Sequence, residues 1–97
     1  LKVAGTLISG ESSVRDLEVY PNPFNGFLFM DYESATDREI TVSILDLMGR
    51  TQHSSIHQVL KGKNTLEISS ENLAPASYLV KVENGEEVKI HKVIKSE

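Results

Sequence analysis

The sequence predicts an all-β sandwich of about seven antiparallel strands, and three observations carry that reading. Apolar residues recur at every second position in short blocks, which places them on one side of an extended strand. No ten-residue segment sustains a helical period, and Ser70-Glu71-Asn72-Leu73 has room for a single turn at most. Turn-forming residues separate the blocks, and Asn84-Gly85 between two alternating stretches is the strongest short hairpin signal in the chain.

Taken in order, Leu1 to Ile8 reads as the end of a preceding region, and Ser9-Gly10-Glu11-Ser12-Ser13 has linker composition. Residues 1–15 are therefore expected to be linker or tail and residues 16–97 the domain. An extra N-terminal edge strand is the alternative, because Val3, Leu7 and Ile8 are apolar. Leu17 and Val19 share a phase and open the first strand. Tyr20-Pro21-Asn22-Pro23-Phe24-Asn25 then breaks the pattern: proline fixes φ and lacks an N–H, so this stretch cannot lie inside a paired central strand. A rigid connection with Phe24 dropping into the core is expected.

Leu28, Met30 and Tyr32 define the next inward face, which leaves Phe27 and Phe29 outside as an interaction candidate or a surface covered by neighbouring chain. Ile40, Val42 and Ile44 follow. In Asp46-Leu47-Met48-Gly49 the carboxylate is placed to accept backbone N–H groups two or three residues on, and Gly49 to take positive φ. Thr51 to Leu60 alternates less regularly, and Lys61-Gly62-Lys63-Asn64 is a polar turn. Leu66 and Ile68, then Tyr78, Val80 and Val82, continue the core pattern. After the turn at Gly85, Val88 and Ile90 are expected to extend it.

Composition removes several function classes. Ninety-seven residues support one core. Ten basic against fourteen acidic side chains give a net charge of −4, so no broad phosphate-neutralising surface exists and nucleic acid is not an expected partner. The absence of cysteine excludes disulfides and thiolate metal sites. No apolar run approaches the roughly 20 residues that cross a bilayer, so no direct membrane insertion is expected. The start at Leu1-Lys2-Val3-Ala4-Gly5 reads as that of a fragment, with any export signal upstream.

Catalytic patterns are missing as well. Neither a Gly-x-Ser-x-Gly elbow nor a Gly-x-Gly-x-x-Gly loop occurs, and Asp31 and Glu33 share a strand face with no sign of a cleft to raise one pKa. His53 and His57 on an extended strand stand roughly 13 Å apart, too far to share an ion ligated near 2 Å, and with His91 they read as surface residues. No calcium-loop run surrounds Asp46. The expectation is a domain without catalytic residues, metal or cofactor.

The most distinctive features are collinear. Tyr20-Pro21-Asn22-Pro23-Phe24 stands at the entrance, Val42-Ser43-Ile44-Leu45-Asp46-Leu47-Met48-Gly49-Arg50 in the middle, Leu73 to Tyr78 followed by Val80-Lys81-Val82 later, and Lys92-Val93-Ile94-Lys95 near the end. This order resembles the C-terminal sorting domain of the type IX secretion system, in its type A form (the Por secretion system sorting domain family), over about Leu17 to Glu97. In one departure, Ala76 stands where such sequences carry Gly two residues before the tyrosine, so Pro75 is expected to set that bend.

The resemblance implies an immunoglobulin-like β-sandwich that acts as a sorting signal, directing a secreted or cell-surface protein through the periplasm and across the outer membrane. Its implied partners are proteins of the secretion machinery, a sortase-like peptidase that removes the domain and couples the cargo to anionic lipopolysaccharide, and the N-terminal domain of the parent protein. It also makes Lys92, Val93, Ile94 and Lys95 the expected recognition residues, acting through an exposed backbone edge or a terminal strand that pairs with the machinery. Lys89, Lys92, Lys95 and His91 make this segment basic within an acidic domain, a composition that by itself also protects a sheet edge. The alternative function is an immunoglobulin-like adhesion or carbohydrate-binding accessory module of an extracellular hydrolase. Against it stands the lack of Trp, with three Tyr and three Phe of which the core is expected to claim most.

Overall fold

The computed structural model describes residues 17–70 and 72–96, so the expected linker and the possible N-terminal strand lie outside the described residues. The described chain is all-β: β1 (Leu17–Tyr20), β2 (Phe27–Ser34), β3 (Arg38–Leu45), β4 (Thr51–Val59), β5 (Gly62–Ser69), β6 (Ala76–Glu83) and β7 (Val88–Lys95). Every strand pairing is antiparallel. One sheet has the order β1-β2-β5 and the other β4-β3-β6-β7. The less regular stretch from Thr51 is a full strand, and it joins β3 in the four-stranded sheet.

The inward faces close a single apolar core. Leu17 and Val19, then Leu28, Met30 and Tyr32, meet Ile40, Val42 and Ile44 and then Tyr78, Val80 and Val82, with Phe24, Val59, Ile68 and Val93 completing the cluster. At the start of β6 the Tyr78 hydroxyl donates to the carbonyl of Ala74 at 2.5 Å, tying the incoming loop to the strand as in the tyrosine corner of β-sandwiches. Ala76 already belongs to β6, and Asn72 is the only non-glycine with positive φ among the described residues, so alanine fits at position 76 without strain.

The last strand corrects the expected phase. Val88 and Ile90 are exposed, whereas Lys89 and Val93 are buried. The reason is register. β6 and β7 are joined by a connection with an even number of residues, so residues of opposite parity face one another: Val82 lies opposite Lys89, Val80 opposite His91 and Tyr78 opposite Val93. Directly opposed side chains share a face. Once Tyr78, Val80 and Val82 point inward, Val88 and Ile90 must point out.

Candidate functional site

The entrance loop and the end of β7 meet on one side of the sandwich. Phe24, fully buried, forms an isolated parallel bridge with Lys95. The Phe24 N–H donates to the Ile94 carbonyl at 2.9 Å, and the Ser96 N–H donates to the Phe24 carbonyl at 2.8 Å. Asn22 extends the ladder with its side chain: its Oδ1 accepts the Ile94 N–H at 2.9 Å, and its Nδ2 reaches the Lys92 carbonyl at 3.4 Å. Residues 72 positions apart thus form one hydrogen-bonded unit. Proline suits this loop, because a prolyl nitrogen has no N–H to leave unpaired. Both the Tyr20-Pro21 and Asn22-Pro23 bonds are cis.

This geometry sorts the expected recognition residues. Val93 is fully buried and belongs to the core, so it contributes shape from beneath. Lys92 and Ile94 face outward and are exposed, Lys95 is half-buried, and Pro21, Asn22 and Pro23 are exposed beside them. The expected open backbone edge at Lys92 to Lys95 is occupied: Asn22 and Phe24 take the hydrogen-bonding positions on the side away from β6. What this end presents is a composite of side chains, with Lys92 and Ile94 on one rim and the prolines on the other. Sequence reading found both segments and missed their union, since no local pattern marks a contact of such range.

Lys89 was expected only as one of the basic residues of the last strand, and its inward position was missed. Its side chain, 5% exposed, runs between the sheets, with Nζ 3.2 Å from Glu87 Oε1 and 5.2 Å from the centroid of the Tyr32 ring. An inward charge on an edge strand opposes casual strand addition, because a partner strand would have to seal that charge from water. The signal was available in the parity of the Asn84-Gly85 hairpin, which outranks the apolar spacing of Val88 and Ile90.

The remaining singled-out residues organise turns. Asp46 Oδ1 accepts the N–H groups of Met48 and Arg50, both at 2.9 Å, and Oδ2 accepts Arg50 Nε at 2.8 Å. The Arg50 N–H bond, followed by the Arg50 side chain and the Met48 N–H, holds this carboxyl below its ordinary range against a smaller opposing effect of burial. Gly49 completes the loop with φ of 90°. Gly85, at φ 93°, does the same in the last hairpin, where Asn84 Oδ1 accepts the N–H groups of Glu86 and Glu87, each at 2.9 Å.

Elsewhere the ionisable groups stay dispersed. Asp31 accepts the hydroxyls of Tyr20 and Thr65, both at 2.9 Å, and no cluster of three or more metal-ligating His, Asp or Glu forms among the described residues. His57 is half-buried, bonded to Ser55 at 2.8 Å, and lowered in pKa by burial and then by His53. The aromatics divide evenly: Phe24, Tyr32 and Tyr78 are in the core, whereas Tyr20, Phe27 and Phe29 stand on the outer face of β1 and β2. The core therefore claims half of them, fewer than expected. Tyr20 and Phe29 stack at 5.9 Å, and Phe27 is 58% exposed.

Comparison with known proteins gives one family. Residues 18–96 match the secretion system C-terminal sorting domain. No curated protein matches the chain. Among solved structures, a β-glucosidase from Listeria innocua in complex with gluconolactone is similar over 84% of this chain and 16% of that one, at 16% identity and a TM-score of 0.49. The collinear motifs, the all-β sandwich and a family match across the whole described domain agree: the chain belongs to the C-terminal sorting domains, the non-catalytic signals that the type IX secretion machinery recognises for export to the cell surface or beyond.

Proposed function

We propose that this domain is read as a folded surface composed of the entrance loop and the outward side chains of β7, with Lys92 and Ile94 as its contact residues and Asn22 as the residue that holds the two parts in register. The observation that carries this reading is the ladder from Asn22 and Phe24 to Lys92, Ile94 and Ser96, which assembles the surface only in the folded domain. The cargo reaches the periplasm first, the domain folds there, and the outer-membrane machinery binds it in transit; a sortase-like peptidase then releases it from the parent protein. A pre-bent proline segment and a pinned strand lose little conformational entropy on binding, which suits brief recognition. Lys92 supplies a charge for an acidic partner surface, and Ile94 with Ile90 supplies apolar area.

The test is a fusion of all 97 residues to a periplasmic fluorescent protein in a host with the secretion system. Lys92→Glu with Ile94→Ser, both at exposed positions, should retain the reporter in the periplasm while leaving the thermal melt unchanged; Lys63→Glu, on the other sheet, should be exported normally. Normal export of the Lys92/Ile94 variant would sink the proposal. The exposed Phe27 beside the Tyr20–Phe29 stack favours a second reading, an accessory face for carbohydrate or adhesion. Glycan binding that Phe27→Ala abolishes would support it.

A further inference from the structure

Among the described residues four strands lie at sheet edges, and three are protected. β1 has only four residues, β5 carries Lys63 and Glu67, and β7 has its inward Lys89 and its end occupied by Asn22 and Phe24. β4 differs. It has nine residues, Thr51–Val59, without a charged side chain or a proline, and it pairs only with β3 among the described residues, in unbroken register from His53 to Val59 and with one irregularity at Gln52. In a domain of net charge −4, an uncharged edge of this length is the place where strand addition meets least repulsion.

The strand also reads nearly the same in both directions. About Ser55 it runs Gln52-His53-Ser54 on one side and Ile56-His57-Gln58 on the other, so glutamines and histidines sit symmetrically. A two-fold axis perpendicular to a sheet pairs residue i with its mirror position in the other copy and keeps each on the same face. We propose that β4 pairs antiparallel with β4 of a second copy, centred on Ser55, giving one continuous sheet with four strands from each copy. His53 then faces His57 of the second copy on the inner side, and Gln52, at the irregularity that ends the regular register, lies next to Gln58 of the second copy. Each matched pair stands within about 5.5 Å at Cβ, close enough for side-chain hydrogen bonds. Leu60 and Met48, at 66% and 83% exposure, flank the two ends of β4 and gain cover from the same pairing. An uncharged strand satisfies itself, whereas the charged edges of β5 and β7 do not.

The register can be tested by charge. Lys at positions 52 and 58 would face each other across the interface, yet within one chain each has an acidic neighbour: Gln52 already bonds Asp46 and Gln58 already bonds Glu39. Q52K/Q58K therefore keeps the fold and breaks the pair, whereas Q52K/Q58E presents opposite charges. Sedimentation equilibrium on the 97-residue chain should show a weak dimer, with a dissociation constant of roughly 0.1–1 mM as suits a small interface. The double-lysine variant should weaken it at least tenfold, and Q52K/Q58E should match or exceed the parent. A parent chain that stays monomeric at about 1 mM, a dimer unmoved by Q52K/Q58K, or a Q52K/Q58E variant as weak as the double lysine would each overturn the proposal. Thermal melts of both variants confirm that each is folded.

Discussion

Asn22 does with one side chain what a neighbouring strand does with its backbone: its amide oxygen and nitrogen meet an N–H and a carbonyl two residues apart on β7. Asp46 plays a comparable part within a single loop, and its low pKa makes a pH prediction. The folded form favours the charged carboxylate, so the stabilisation is fully present above the ordinary Asp range near 3.8 and disappears as pH falls through the lowered folded value. Asp46→Asn should therefore flatten the acid limb of a stability-against-pH curve measured between pH 6 and 2, and an unchanged limb would count against the assignment. Asp46 was legible from sequence because its partners lie within four positions and Gly49 announces the turn. Asn22 was legible only as a turn former; its partner is set by the whole fold.

At the scale of the strand, β7 shows how two signals in one sequence can compete. Val88, Ile90 and Ile94 look like a core stripe, yet hairpin parity turns them outward and sends Lys89, His91 and Val93 in. Most elements gave no such conflict: their apolar spacing and their pairing agree, which is why β2, β3, β5 and β6 follow the sequence expectation. The outer face of β7 therefore carries Val88, Ile90 and Ile94 in the open, with Lys92 among them. Lys89→Val should leave the melting temperature within a few degrees, since replacing a buried charge by a well-packed apolar group is often neutral or stabilising. Light scattering at rising concentration should instead show association of the variant, because the free part of the β7 edge loses its guard. Equal solubility of both proteins would remove that role from Lys89.

For the whole molecule, the entrance loop and the last strand are interdependent. A chain ending at Val88 loses Val93, worth roughly 1.5–3 kcal/mol of burial, together with the pairing of β7 to β6 from Lys89 onward and the partners of Asn22 and Phe24. Such a chain should be unfolded by far-UV circular dichroism, so its failure to be exported would report lost structure, and only surface substitutions such as those at Lys92 and Ile94 separate recognition from folding. The sandwich itself was readable from alternation and turns, whereas the meeting of its two most distinctive motifs depended on which strand occupies which edge. That meeting also sets a mechanical property. The Phe24 segment and β7 run parallel at their bridge, so tension between an advancing cargo and a gripped tail would load these bonds lengthwise and simultaneously, as shear. Shear resists traction far better than unzipping does, and a label built this way can be pulled upon without coming apart.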